Sequence, residues 1–173
     1  MTLGIVIIGT AFLLSWCTSQ PSQNQLTIEQ TALAINISQE AQPIPNLLIP
    51  TFTGIDLLKA YKIAPDQTCS IQKTIFKKSS WETALAYIKT LKDFFPGFSS
   101  EDLSTKTLQC SDQIYNIYFA TFVIPHADQS YYFYQAIVPL NNWGETIIVS
   151  CESKQPSPDL AKIVYNINCF KNE

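Results

Sequence analysis

Few side chains in this sequence could carry acid–base or nucleophilic chemistry. His126 is the single histidine, and it stands two residues before Asp128. A Ser-His-Asp or Cys-His mechanism would have to use this imidazole, but no Gly-x-Ser-x-Gly nucleophile elbow accompanies it. The adjacent Glu101 and Asp102 are more typical of capping and solvation than of catalysis. The sequence therefore predicts a non-enzyme with no catalytic residue, cofactor or metal site; a hydrolase that uses His126 is the less favoured alternative.

The cysteines indicate disulfide bonds rather than a metal site or redox catalysis. There are five, and none has the Cys-x-x-Cys spacing of zinc ribbons and thioredoxin-type sites. If the first cysteine carries a lipid, the other four can form two disulfides in an oxidising compartment. The five are Cys17, Cys69, Cys110, Cys151 and Cys169.

The N-terminal residues have the composition of an export signal. An apolar run of about 14 residues would span roughly 21 Å as a helix, too short to cross a membrane, and it suits a signal peptide. It ends in Leu14-Ser15-Trp16-Cys17, which resembles the lipobox of bacterial lipoproteins, although Trp16 stands where that motif has a small residue. The resemblance implies a signal peptide over residues 1–16 and a lipid anchor on Cys17. It places the protein in the periplasm or at the cell surface of a bacterium, with secretion as the alternative.

Composition also suggests where the folded domain begins. Residues 17–50 are predicted to be the lipidated cysteine and a flexible tether, although the alternating Leu33, Ile35 and Ile37 could add an edge strand or a short helix. Residues 51–173 are predicted to form one disulfide-bonded domain. The chain contains 11 lysines and no arginine, so it lacks the bidentate contacts typical of nucleic-acid recognition, and we expect no nucleic-acid partner.

The pattern of the domain predicts an α+β fold made mainly of an antiparallel sheet. Residues 80–95 follow a capping box at Ser79 and Glu82 and carry apolar side chains at helical spacing, so they predict one long helix on one face of the sheet. Four later segments are rich in β-branched and aromatic residues and are separated by short turns, which is typical of a meander. The tail after Pro156 fits a helical turn that continues as a helix or a strand. The four segments are 105–110, 114–124, 131–140 and 145–151.

The meander also predicts how the cysteines pair. Successive turns lie at alternating ends of the sheet, so Cys110 and Cys151 are separated by the length of a strand, roughly 33 Å for ten residues, whereas disulfide Cα atoms lie within about 7 Å. If the helix is a crossover between parallel strands, Cys69 begins at the end where Cys151 leaves the sheet. The tail then carries Cys169 back toward Cys110. We predict Cys69–Cys151 and Cys110–Cys169; sequential pairing, Cys69–Cys110 with Cys151–Cys169, is the rival.

Aromatic side chains indicate a recognition surface. In residues 114–124 both alternating faces are apolar, although a single helix can cover only one of them. The second face is covered by the domain's own segments or forms a tyrosine-rich binding face, because Tyr and Trp carry a large share of interface energy. Trp143 lies in a predicted hairpin loop, where it folds back on the sheet or contacts a partner. The predicted partner-binding residues are Trp143, Asn142, Tyr131, Tyr132 and Tyr134.

These features together predict an exported, membrane-tethered envelope lipoprotein that acts as a non-catalytic protein-binding module. Bacterial immunity proteins and periplasmic enzyme inhibitors are similar in general build, with an export signal and one compact domain. That resemblance implies a protein partner in the cell envelope. A structural or assembly subunit of an envelope complex is the alternative.

Overall fold

The computed structural model describes residues 23–28, 31–45, 55–75, 81–94, 99–140 and 144–170. The strands form a three-stranded sheet, in the order β1-β2-β10, and a seven-stranded sheet. In chain order the elements are β1 (Gln23–Thr27), β2 (Leu33–Ser38), β3 (Gln42–Pro43), β4 (Ile55–Ala64), β5 (Gln67–Ile75), α1 (Trp81–Phe94), β6 (Ser99–Cys110), β7 (Gln113–His126), β8 (Gln129–Pro139), β9 (Glu145–Ser153), α2 (Pro158–Tyr165) and β10 (Asn168–Cys169).

The seven-stranded sheet has the order β3-β4-β5-β9-β8-β7-β6, and all neighbouring pairs are antiparallel. Strands β6 to β9 form a meander, as predicted. Four antiparallel steps separate β5 from β6, so these two strands run in the same direction and α1 belongs to the crossover between them. The α+β class and the mainly antiparallel sheet are therefore confirmed.

The two faces of this sheet alternate along β7 with the period of two that a strand imposes. Ile117 and Phe119 share a core with the three-stranded sheet and α2, and we call this side the inner face. Phe122 and Ile124 point to the opposite side, where they pack with Ile88 of α1, and we call that side the helix face. Both faces of β7 are apolar, as the sequence pattern indicated, and the protein's own segments bury the central part of each face, from Ile117 to Ile124.

Two helices stand where one long helix was expected. Helix α1 has 14 residues and packs on the helix face, whereas α2 has eight and packs on the inner face, where Leu160 and Val164 are fully buried. The Ser157 side chain caps α2 by accepting a hydrogen bond from the N–H of Leu160. Pro158 follows in the first turn, where a backbone N–H would have no partner within the helix, so its missing N–H costs no hydrogen bond. The prediction of a single helix was wrong, because the apolar spacing of the tail suited a helix and a strand equally and burial against the sheet decided between them.

Part of the predicted tether is folded. Residues 23–28 and 31–45 hold β1, β2 and β3, and Ile28, Leu33 and Ile35 are completely buried in the inner core. The boundary at residue 50 was therefore wrong for these residues, because the alternating apolar side chains of β2 bury themselves between the two sheets. Residues 1–22 lie outside the described residues, so the signal peptide and the lipidation of Cys17 stay predictions.

The two disulfides are the predicted pairs. Cys69 in β5 bonds to Cys151 in the neighbouring strand β9 with a Cα–Cα distance of 4.0 Å, and Cys110 at the end of β6 bonds to Cys169 in β10 at 5.3 Å. The sequential pairing was wrong, because Cys69 and Cys110 lie at opposite ends of the sheet. Two disulfides are typical of an oxidising compartment outside the cytosol. In the described part of the chain, no helix is long and apolar enough to cross a membrane.

Candidate binding surface

The seven-stranded sheet has two ends with different side chains. At one end lie the β6–β7 turn at Asp112, the β8–β9 connection, and the last residue of β5, Ile75, which pairs with Glu145. We call this the apolar end. The opposite end, which we call the polar end, holds the β4–β5 turn at Asp66, the β7–β8 turn at Asp128 and the connection from β9 to α2.

The apolar end exposes three large hydrophobic side chains. Ile75 is 68% exposed, Ile114 is 65% exposed and Phe170 is 39% exposed. Strands β5 and β7 are three inter-strand spacings apart, so Ile75 and Ile114 are separated by roughly 14 Å across the sheet. The β8–β9 connection leaves the sheet between them. Several large hydrophobic residues exposed at one end of a sheet favour contact with another apolar surface.

A short chain of bonds fixes Phe170 at this end. The N–H of Phe170 donates to the carbonyl oxygen of Ala32 at 2.8 Å, and the N–H of Ala32 donates to the hydroxyl of Tyr115 at 2.9 Å. That hydroxyl in turn donates to the side chain of Gln113. The disulfide of Cys169 adds a covalent tie one residue before Phe170. The position of Phe170 therefore depends on β6, β7 and the segment that leads into β2.

The base of the β8–β9 connection is also fixed. The N–H of Leu140 donates to the carbonyl oxygen of Glu145 at 2.8 Å, and the hydroxyl of Thr146 donates to the carbonyl oxygen of Gly144 at 3.2 Å. The Glu145 carboxylate lies 3.1 Å from the Lys73 amine on the next strand. Gly144 has φ 89°, a value at which a residue without Cβ avoids a steric clash. The connection thus leaves the apolar end from a well-defined base.

Charged and polar side chains at the polar end bond to one another. The Lys154 amine lies 3.0 Å from the Asp66 carboxylate, and the hydrogen bond with Asp66 raises the pKa of Lys154. The Thr68 hydroxyl donates to the Glu152 carboxylate at 2.9 Å. Within the described residues, Ile75, Ile114 and Phe170 lie at the opposite end, and the fourth exposed large hydrophobic side chain, Leu103, lies partway along β6. The polar end therefore presents a hydrated surface on which these charged side chains are paired with other groups of the protein.

The predicted partner-binding residues do not form one surface. Asn142 and Trp143 lie outside the described residues, but Leu140 and Gly144 place the base of their connection at the apolar end, as the meander indicated. Tyr131 and Tyr132 are half-buried and lie near the other end of β8. Tyr132 also packs against the inner core. Of these predicted residues, only Asn142 and Trp143 belong by sequence to a connection whose base lies at the apolar end.

Tyr134 does not offer a surface to a partner, which corrects its prediction as a binding residue. It is 7% exposed, and its hydroxyl accepts the N–H of Ser157 at 2.7 Å. That N–H stands at the start of α2, where helix donors lack intrahelical partners. Tyr134 is therefore an internal anchor for α2, and its position in the alternating pattern of β8 turns it toward the inner face.

The candidate acid–base residues are spread along the polar half of the sheet. His126 and Asp128 flank Ala127 in the β7–β8 turn, and Ala127 has a positive φ of 51°. Nothing is described of the His126 side chain. Glu101 and Asp102 belong to β6. Among the described residues, no group of three or more His, Cys, Asp or Glu side chains is arranged to hold a metal ion.

Sequence reasoning missed the three hydrophobic residues of the apolar end. The sequence pattern singles out neither Ile75 nor Phe170, and it gives Ile114 only as the first residue of a predicted strand. The available signal was positional, because Ile114 follows the predicted turn at 111–113 and side chains at a strand end have neighbours on only one side. That signal becomes specific only when the ends of several strands are known to lie together.

Comparison with known proteins gives information on the fold alone. No family model matches the chain, and no curated protein matches it. Among solved structures, it is similar to the Ran-binding protein Mog1p of Saccharomyces cerevisiae, with a TM-score of 0.54, 8% identity, and coverage of 83% of this chain and 82% of that one. It is also similar to cyanobacterial PsbP (CyanoP) of Synechocystis sp. PCC 6803, with a TM-score of 0.51, 11% identity, and coverage of 89% and 96%.

Proposed function

We propose that this protein is an exported, non-catalytic protein-binding module that contacts its partner through the apolar end. The observation that carries the proposal is the exposure of Ile75, Ile114 and Phe170 around the base of the connection that contains Trp143. Burial of a whole aliphatic or aromatic side chain contributes about 1.5–3 kcal/mol, so the exposed parts of these three could together supply several kcal/mol. Trp143 would add an aromatic side chain of the type that dominates interface hot spots.

The fold gives this proposal additional support. Mog1p, which has a similar fold, is a Ran-binding protein. Its identity to this chain is too low to transfer a binding residue, and the apolar end is defined from the present structure alone. The two disulfides favour a partner that is met outside the cytosol. The partner would then be a periplasmic enzyme, and this protein would bind it as an immunity protein or an enzyme inhibitor does.

A lipid anchor on Cys17 would orient the apolar end away from the membrane. Only residues 18–22 separate Cys17 from Gln23, and even fully extended they would span at most roughly 20 Å. Gln23 pairs with Ser38, whereas Leu33 at the other end of β2 pairs with Cys169 near the apolar end. Strand β1 therefore starts toward the polar end. The anchor would hold the polar end close to the lipid headgroups and leave the apolar end accessible.

Affinity capture from an envelope extract with added secreted proteins tests the binding proposal. The baits are the full oxidised chain, Trp143→Ala, Ile114→Ser, and the control Leu103→Ser, which changes a residue that is 38% exposed on β6 and outside the apolar end. We expect one stoichiometric protein that is retained by the wild type and the control and lost with the other two. Equal capture by all four baits would contradict the role of the apolar end. Capture of several membrane components would favour a subunit of an envelope complex.

Cell fractionation tests the anchor separately. The wild-type chain is expected in the membrane fraction, and a Cys17→Ala variant in the soluble fraction. A wild-type chain that is released from cells without lipid, as intact mass would show, contradicts the anchor and leaves the binding proposal unaffected.

A further inference from the structure

The two disulfides differ in access to solvent. Cys69 is 2% exposed and Cys151 is fully buried, and both belong to strands with neighbours on either side. Cys110 is also buried, at 3%, but its partner Cys169 is partly exposed and lies in the two-residue edge strand β10. Thiol–disulfide exchange requires that an attacking thiolate reach one sulfur of the bond. Of the two bonds, only Cys110–Cys169 includes a partly exposed cysteine, so it is the bond that an external thiolate can approach in the folded protein.

We propose that Cys169 is a thiol–disulfide exchange site, at which a dithiol reductant of the Cys-x-x-Cys class opens the Cys110–Cys169 bond while Cys69–Cys151 stays closed. The reductant's thiolate attacks the Cys169 sulfur, the S–S bond breaks, and Cys110 leaves as a thiolate that takes up a proton. The second thiol of the reductant then attacks the reductant sulfur that is bonded to Cys169, and this step releases the Cys169 thiol. In total, two electrons and two protons pass from the dithiol to the protein, and the reductant becomes a disulfide.

The structure limits what opening this bond would release. Helix α2 stays in place because Leu160 and Val164 are fully buried and Ser157 is bonded to Tyr134. After α2, the Ile167 side chain is fully buried in the inner core and its carbonyl oxygen accepts a hydrogen bond from the Lys106 amine. Residues 168–170 are held by the two β10–β2 pairs and by the hydrogen bond of the Phe170 N–H. The buried Ile167 stays in place, so reduction frees the segment from residue 168 onward and not the core. It is the segment that holds Phe170 at the apolar end.

A consequence for partner binding follows, and this step rests on the proposed function. Phe170 loses its covalent tie when the bond opens, so a partner that binds Phe170 must also order the tail. The entropy lost in this ordering reduces the net free energy of binding. We therefore expect the reduced form to bind more weakly than the oxidised form. The exchange site itself does not depend on the existence of a partner.

The order of reduction tests the site without a partner. The oxidised full chain is treated with graded dithiothreitol, quenched with a maleimide, and mapped by peptide mass spectrometry. We expect Cys110 and Cys169 to be labelled at least about ten times faster than Cys69 and Cys151. A Cys-x-x-Cys protein whose second cysteine is replaced by serine should be trapped as a mixed disulfide on Cys169. Equal labelling rates, or a trapped bond on any other cysteine, would overturn the proposal.

A double variant separates the site from the binding function. Cys110→Ser with Cys169→Ser imitates the opened state, and circular dichroism with resistance of the core to protease is expected to show a folded protein. Retention of residues 168–170 in their native position, seen as unchanged amide exchange, would contradict the predicted release. If the labelling order and the release are as expected but the captured partner binds the variant as well as the wild type, the exchange site stands and the role of Phe170 in binding fails.

Discussion

The apolar end and the polar end of the seven-stranded sheet are both closed by short turns, but they present opposite chemistry. At the polar end, Asp66 and Lys154 form an ion pair and Thr68 bonds to Glu152, so charged groups find partners within the protein. At the apolar end, the side chains of Ile75 and Ile114 are about two-thirds exposed, so the rest of the protein covers only about a third of each. An end that leaves large aliphatic side chains in water loses stability unless another surface covers them. The contrast is the reason to place recognition at one end and not the other.

The two ends also differ in how they are held together. The Cys69–Cys151 bond near the polar end joins two neighbouring strands inside the core, whereas Cys110–Cys169 at the apolar end ties a peripheral segment to the edge strand β6. The polar end is further anchored by the bond between Tyr134 and the start of α2. Stability is thus concentrated at one end and adaptable surface at the other. Four predictions test this difference, from the largest effect to the smallest.

Removing a disulfide at either end should cause the largest loss of stability. The bonds close loops of 82 and 59 residues, and chain entropy predicts roughly 4 kcal/mol for each. The Cys69→Ala/Cys151→Ala variant should lose more free energy of unfolding than Cys110→Ala/Cys169→Ala, because it also leaves a cavity between buried strands. Urea denaturation of both double variants measures this difference. A larger loss at the apolar end would reverse the assignment of the stable end.

Tyr134→Phe should weaken the polar end without changing the shape of the core. The substitution removes the acceptor of the buried Ser157 N–H and should cost about 1–3 kcal/mol in free energy of unfolding. Tyr132→Phe, two residues away on the same face and only half-buried, is the matched control and should cost less. Chemical denaturation compares the two. Equal losses would show that the Ser157 contact is not what anchors α2.

Ile114→Ala should leave stability almost unchanged, within about 0.5 kcal/mol, because the side chain is already mostly in water. Ile117→Ala, three residues along the same strand and fully buried, should cost about 2–5 kcal/mol. The same pair should show the opposite order in partner capture when compared at equal folded concentration. A strong loss of stability in Ile114→Ala would mean that the residue belongs to the core and not to an exposed surface.

The smallest effect concerns the exposed Asp66–Lys154 pair. Hydrogen bonding to Asp66 raises the pKa of Lys154 above its ordinary value of 10.5, so the charged amine is favoured by folding. The resulting stability is present at neutral pH and is lost as the pH rises through the raised pKa. The difference in urea midpoint between the wild type and Asp66→Asn should therefore be small at pH 7 and should decrease as the pH rises beyond 10.5 through the raised pKa. A difference that grows with alkaline pH would contradict the pairing.

Much of the fold could be predicted because it depends on local periodicity. The alternation of residues 114–124 predicts a strand with two apolar faces, and β7 has them. Turn spacing predicts which strand ends lie together, and with the helix as a crossover that placement favoured the observed Cys69–Cys151 and Cys110–Cys169 over the sequential pairing. The candidate surface was harder to predict from the sequence. Trp143 could be assigned to one end of the meander. Tyr134 is an aromatic residue of the type that is common in binding surfaces, but it is buried, and the sequence did not distinguish these two situations.

The sequence by itself predicted the meander strands and the helix over residues 80–95 and favoured the observed cysteine pairing over its rival, because a strand's period of two and the reach of a disulfide are properties of the local chain. Only the tertiary structure decided that residues 23–28 and 31–45 join the fold, that the tail forms α2, and that Ile75, Ile114 and Phe170 lie at the same end of the sheet. Those outcomes depend on which distant segments cover a given side chain. Burial is a property of the assembled layers, and the pattern along one strand does not contain it.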